Sequence, residues 1–98
     1  MNIHDRRSLE LHRAAADKLR ADPAWLERAR QHVATWRTQP QPPYYAELWR
    51  QILERPLPQI IAFLVEESDL AQELRSSSPF AGILTPQERW AVLKRLQA

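Results

Sequence analysis

The sequence predicts an all-α fold, a small irregular bundle of about six helices joined by proline-marked turns. Three observations predict it. Apolar residues recur at spacings of three and four along most of the chain, the period of one helix face. No stretch alternates apolar with polar residues as a half-buried strand does, and no hairpin turn signal is present. The eight prolines fall at the ends of the periodic segments rather than within them, where they remove a donor and fix φ without breaking a helix. With 98 residues, 44% of them apolar, the chain can bury one core and no more, so residues 1–98 are read as a single helical domain.

The first helix is expected over residues 6–21. Leu9, His12, Ala16 and Leu19 share one stripe, Leu11 and Ala15 widen it, and Asp5 is the expected N-cap. Asp22-Pro23 starts the second, since Asp accepts orphan N–H bonds and Pro loses nothing at the first helical position. Trp25, Leu26, Ala29, Val33 and Trp36 then form its inward face. Gln39-Pro40-Gln41-Pro42-Pro43 cannot continue that helix and forms the one clear internal linker.

The third helix is expected over residues 44–54, with Tyr45, Leu48, Trp49 and Ile52 inward, ending at Arg55-Pro56 because the residue before proline is pushed out of the α region. The fourth, over residues 59–66 after Leu57-Pro58, is apolar almost all round and is expected to be the most enclosed element. Ser68 is the expected cap of a short fifth helix over residues 69–75, in which Leu70 and Leu74 repeat at i, i+4. Thr85-Pro86-Gln87-Glu88 is a capping box that opens the last helix. In that helix Trp90, Leu93 and Gln97 fall along one side, Val92 and Leu96 along the other.

Composition narrows the function classes. No cysteine is present, so neither a disulfide framework nor a thiolate zinc site is expected, and a reducing cytoplasm is the expected location. The polar N-terminus and the absence of a long apolar run argue against a targeting segment or a membrane partner. Gly82 is the single glycine, which argues against a glycine-rich loop that cradles nucleotide phosphates. No cofactor is expected.

Fourteen Lys and Arg stand against twelve Asp and Glu, and twelve of the fourteen are arginine. Residues 1–39 hold eight bases and five acids, residues 40–98 six bases and seven acids. Acids interrupt the bases along every helix, which reads as a solvated surface rather than a nucleic-acid stripe. The remaining reading of the charge is an arginine-rich face for an acidic partner or a phosphate group.

Candidate chemical groups have bland readings. His4, His12 and His32 are not spaced as helical metal ligands, and His12 reads as a core histidine with one nitrogen satisfied. Glu66, Glu67 and Asp69 lie beside a helix N-terminus, where negative charge is favoured. Ser76-Ser77-Ser78 reads as a loop rather than a nucleophile. No catalytic residues are assigned, and an enzyme is not expected.

The residues left unexplained are aromatic. Four tryptophans exceed what so small a core needs, and Trp, Tyr and Arg dominate protein-binding hot spots. Tyr44 and Tyr45, behind the proline linker, and the Ser78-Pro79-Phe80-Ala81-Gly82 loop are the preferred anchors, since stiffened segments lose little entropy on binding.

Thr85-Pro86-Gln87-Glu88-Arg89-Trp90 resembles the opening helix of response-regulator helix-turn-helix domains, but no recognition helix follows it. Three stretches carry a broader resemblance: Asp5-Arg6-Arg7-Ser8-Leu9 with Leu11-His12, Pro43-Tyr44-Tyr45 with Leu48-Trp49, and Ser78-Pro79-Phe80-Ala81-Gly82-Ile83-Leu84 with Glu88-Arg89-Trp90. Together they resemble a family of small all-helical bacterial proteins encoded beside toxin genes, the antitoxin-like partners of plant-pathogen type III effectors with a zeta-toxin-like polynucleotide-kinase fold. The resemblance implies an antitoxin that binds a cognate kinase-fold toxin or effector in a heteromeric complex, a heterotetramer being one arrangement, and covers its nucleotide or substrate site. Its segments add Trp49, Arg89 and Trp90 to Tyr44, Tyr45 and Phe80 as expected partner-binding residues. The chain departs from typical effector chaperones, which are acidic α/β dimers, and lacks the DNA-binding module that many antitoxins carry. A secretion chaperone that stabilises the effector without inhibiting it, and a small DNA-binding regulator, are the alternative readings.

Overall fold

Capping chemistry and apolar periodicity resolve into six α-helices in the computed structural model, which describes residues 2–97. They are α1 (Ile3–Ala21), α2 (Trp25–Arg37), α3 (Tyr44–Leu53), α4 (Leu57–Leu64), α5 (Asp69–Arg75) and α6 (Pro86–Gln97), and no strand occurs among the described residues.

Three helix starts differ from expectation, each for a local reason, and α3 and α4 end at Leu53 and Leu64, one and two residues early. Asn2, not Asp5, caps α1: Asn2 Oδ1 accepts the Asp5 N–H at 2.8 Å, and Asp5 sits in the first turn, where its charge meets the positive end of the helix dipole. Asp22-Pro23-Ala24 form a separate turn before α2, with Asp22 Oδ1 accepting the Ala24 N–H at 3.1 Å. α4 begins at Leu57 because Pro58 lies in its first turn, where a backbone donor has no intrahelical acceptor to lose. The caps of the last two helices match expectation. Ser68 Oγ accepts from the Ala71 N–H, and Thr85 and Glu88 accept from each other's backbone N–H.

α1 is the organising element, packed against α4, α5 and α6 and touching α2, while α2 makes its main contact with α3. The radius of gyration is 13.3 Å, what a single domain of this length should have. Trp49, Leu19, Ile60, Leu64 and Leu74 are the largest fully enclosed side chains. The Trp49 ring meets Phe63 at 5.7 Å and Phe80 at 6.2 Å between centroids, both near edge-to-face, the arrangement favoured by the ring quadrupoles. The expected stripe of α5 is rotated: Leu70 is exposed, and the buried face is Ala71, Leu74 and Arg75.

The segment between α5 and α6 is held by its own hydrogen bonds. Ser78 Oγ accepts from the Phe80 N–H, and the Ser78 and Phe80 carbonyls accept from Ala81 and Ile83. Gly82 completes this turn at φ +89°, a conformation L side chains rarely adopt. The turn directs Phe80 and Ile83 into the core.

Candidate functional site

The expected partner-binding residues divide by burial. Trp49 is fully buried, as its place on the inward stripe of the third helix predicts, and Phe80 is 4% exposed, so neither is a surface anchor, which corrects their assignment as partner-binding residues. Both fill the centre of the core. Trp49 lies on the Ala46, Ile52 and Leu53 face of α3, and Phe80 is drawn inward by the turn on Ser78. Tyr45 is half-buried, standing edge-on to Trp36 at 5.1 Å and to Tyr44 at 5.5 Å.

Tyr44, Arg89 and Trp90 do lie on the surface, Tyr44 at 63% and Trp90 at 58% exposure. The Tyr44 hydroxyl donates to Glu73 Oε1 at 3.0 Å, which orients the ring and raises the phenol above its ordinary 10. On α6, helical spacing turns Val92 toward the interior and leaves Trp90 outside. Trp25, by contrast, is half-buried and covered by cations, with Lys18 Nζ 4.8 Å and the Arg28 guanidinium 5.3 Å from its ring centroid.

Arg89 also borders a cavity of about 430 Å³ between the first half of α1 and the turn that carries Phe80. His4, Arg7, His12 and Arg75 contribute to its lining, and among the described residues no Asp or Glu does. Arg75, 3% exposed, donates from Nη1 to the carbonyls of Glu66 at 2.6 Å and Leu64 at 3.4 Å, and so satisfies the C-terminal end of α4. Its Nε and Nη2 are enclosed with no hydrogen-bond partner. Burial works against its charge, partly offset through space by Asp5, Glu67 and Glu66. His12 is bonded through Nδ1 to the Ser8 carbonyl at 2.7 Å, while its enclosed Nε2 has no partner. Burial lowers His12 from 6.5 to about 4, against the Ser8 bond and with the help of Arg75.

Sequence reasoning placed His12 in the core but missed Arg75 and the cavity. A signal was present: Arg75 follows Ala71 by four residues and Leu74 by one, so a helix that buries Ala71 and Leu74 places an arginine at the edge of the same face.

Among the described residues, no three His, Asp or Glu side chains are grouped as metal ligands would be, and no helix is long and apolar enough to cross a membrane. Comparison with protein-family models, curated proteins and solved structures returns no match.

Proposed function

We propose that the chain is a protein-binding module that neutralises a cognate kinase-fold toxin or effector by covering its nucleotide or substrate site. The observation that carries the reading is the exposure of Tyr44 and Trp90, with Arg89 beside Trp90 in sequence, on a well-packed helical frame. An indole and a phenol with more than half their surface in water contribute little to the core and present large, rigid faces to a partner. Arg89 adds a fixed charge for a carboxylate or phosphate on the opposing surface. The kinase fold of the partner and the occlusion of its site rest on the sequence resemblance.

Co-expression with the kinase-fold product of a neighbouring gene tests the proposal. Growth arrest caused by that product is relieved by the wild-type chain. Tyr44→Ala and Trp90→Ala each weaken the complex by about tenfold while leaving helix content unchanged. Undiminished toxicity in the presence of the chain defeats the reading. A stable complex with full kinase activity points to the secretion chaperone, and steeply salt-dependent binding to promoter DNA to the regulator.

A further inference from the structure

We propose that the cavity between α1 and the Phe80 turn binds a phosphate monoester carried on a small organic body. Arg7, Arg75 and Arg89 contribute to one lining, and none of the three forms an ion pair among the described residues. Some cations elsewhere on the chain do stand against carboxylates, as where Glu47 meets Arg50 at 2.6 Å and Arg37 at 3.8 Å. Three arginines and no carboxylate among the described lining residues give this concavity a positive lining. Asp5, Glu66 and Glu67 moderate Arg75 from a distance but are not part of the lining. A bound dianion compensates this positive lining more fully than a monoanionic carboxylate, and guanidinium donors match the tetrahedral oxygens of a phosphate.

Hydrogen-bonding capacity points the same way. Arg75 Nε and Nη2 are enclosed and unpartnered, which is unusual for buried polar donors and most often marks a role or a missing ligand. Ser78 accepts from Phe80, leaving its hydroxyl proton free among the described residues to donate into the same cavity.

Size and polarity define the rest of the ligand. At about 430 Å³ the cavity falls in the range of small-molecule sites, roughly 300–1,000 Å³. Leu11, Ile83 and Leu84 supply an apolar wall against which a compact organic group packs. The chain has no glycine-rich phosphate loop; here the oxyanion is held by side chains drawn from α1, α5 and α6. The site is open to test without any protein partner, so its failure would leave the protein-binding reading standing.

The experiment is calorimetric titration of the full chain with phenyl phosphate, inorganic phosphate and benzoate at fixed ionic strength. Phenyl phosphate binds with a Kd of about 1 mM or tighter, inorganic phosphate more weakly, and benzoate most weakly. Arg7 and Arg89 are exposed, so the Arg7→Gln/Arg89→Gln double variant folds, and its affinity for phenyl phosphate falls by about tenfold or more. In the wild-type chain, phenyl phosphate shifts the Arg75 Nε–H resonance. Absence of phenyl phosphate binding, or an unchanged affinity in the double variant, overturns the proposal. Benzoate binding as tightly as phenyl phosphate overturns the assignment to phosphate, and an unmoved Arg75 resonance overturns the location.

Discussion

Lys18 Nζ lies 2.7 Å from Glu88 Oε1, joining the last turn of α1 to the first turn of α6 across 70 residues of chain. The same carboxylate oxygen accepts the Thr85 N–H at 2.7 Å, so one atom closes the capping box and fastens the helix to its neighbour. Lys18 also stands over Trp25, which brings the start of α2 to the same cation.

This relationship has a pH signature. The Lys18 bond, followed by the Thr85 N–H, lowers Glu88 from 4.5 to about 2. Arg50 does the same to Glu47, also to about 2. A carboxyl whose folded pKa is depressed contributes stability above its unfolded value and loses that contribution as pH falls through the folded value. Stability therefore declines on acidification from about 4.5 toward 2. Glu88→Gln makes that decline shallower and lowers stability at neutral pH; urea midpoints across the range measure both. An identical acid slope in wild type and variant would remove Glu88 from the account.

His12 acts in a separate and higher window. Its folded pKa, lowered by burial from 6.5 to about 4, means that the unfolded chain takes up the proton first. Stability from this group is complete above 6.5 and falls as pH drops toward 4, by on the order of 3 kcal/mol. Replacing His12 with Leu removes the slope between those values while retaining a side chain of similar bulk. Urea denaturation at intervals between the two values checks it, and a wild-type midpoint flat across the window contradicts it.

Trp49 is the side chain whose loss most damages the core. It is fully buried between Phe63 and Phe80, and Trp49→Ala is expected to cost about 3–5 kcal/mol, a large share of the stability of a domain this size. Trp49→Phe costs less, since it keeps an aromatic ring and removes an indole N–H that has no hydrogen-bond partner. Equilibrium unfolding of the two variants gives the order directly; equal losses would show that ring packing around residue 49 contributes little.

Much of the fold is legible in the sequence because its causes are short-range. The Thr85–Glu88 capping box, the Ser68 cap and the proline linker before Tyr44 act within about one turn of helix, and each behaves as its residue types require. Where expectation erred locally, as at Asn2 and Pro58, an adjacent residue supplied a cap or tolerated a position one turn earlier than supposed.

The candidate sites were less legible, for a different reason. Trp49 and Trp90 both sit in amphipathic helices beside leucines, yet one is fully enclosed and the other is 58% exposed. Periodicity placed Trp49 on an inward stripe and Trp90 on one of two sides of its helix, while the resemblance marked both as partner-binding residues. The difference follows from what each helix packs against: α3 lies against α2 with the Phe80 turn at its Trp49 face, while α6 rests on α1 through Val92.

Helix identity, the proline boundaries and the shortage of glycine are written in the order of residues, because hydrogen bonds and sterics within a few positions enforce them. The Lys18–Glu88 pair and the gathering of Arg7, His12, Arg75 and Arg89 around one cavity arise when α1 meets α5, α6 and the turn between them, and Phe80 is enclosed where that turn meets Trp49 of α3. These contacts join residues far apart in the chain, so their partners are set by which apolar faces fit together rather than by any local spacing.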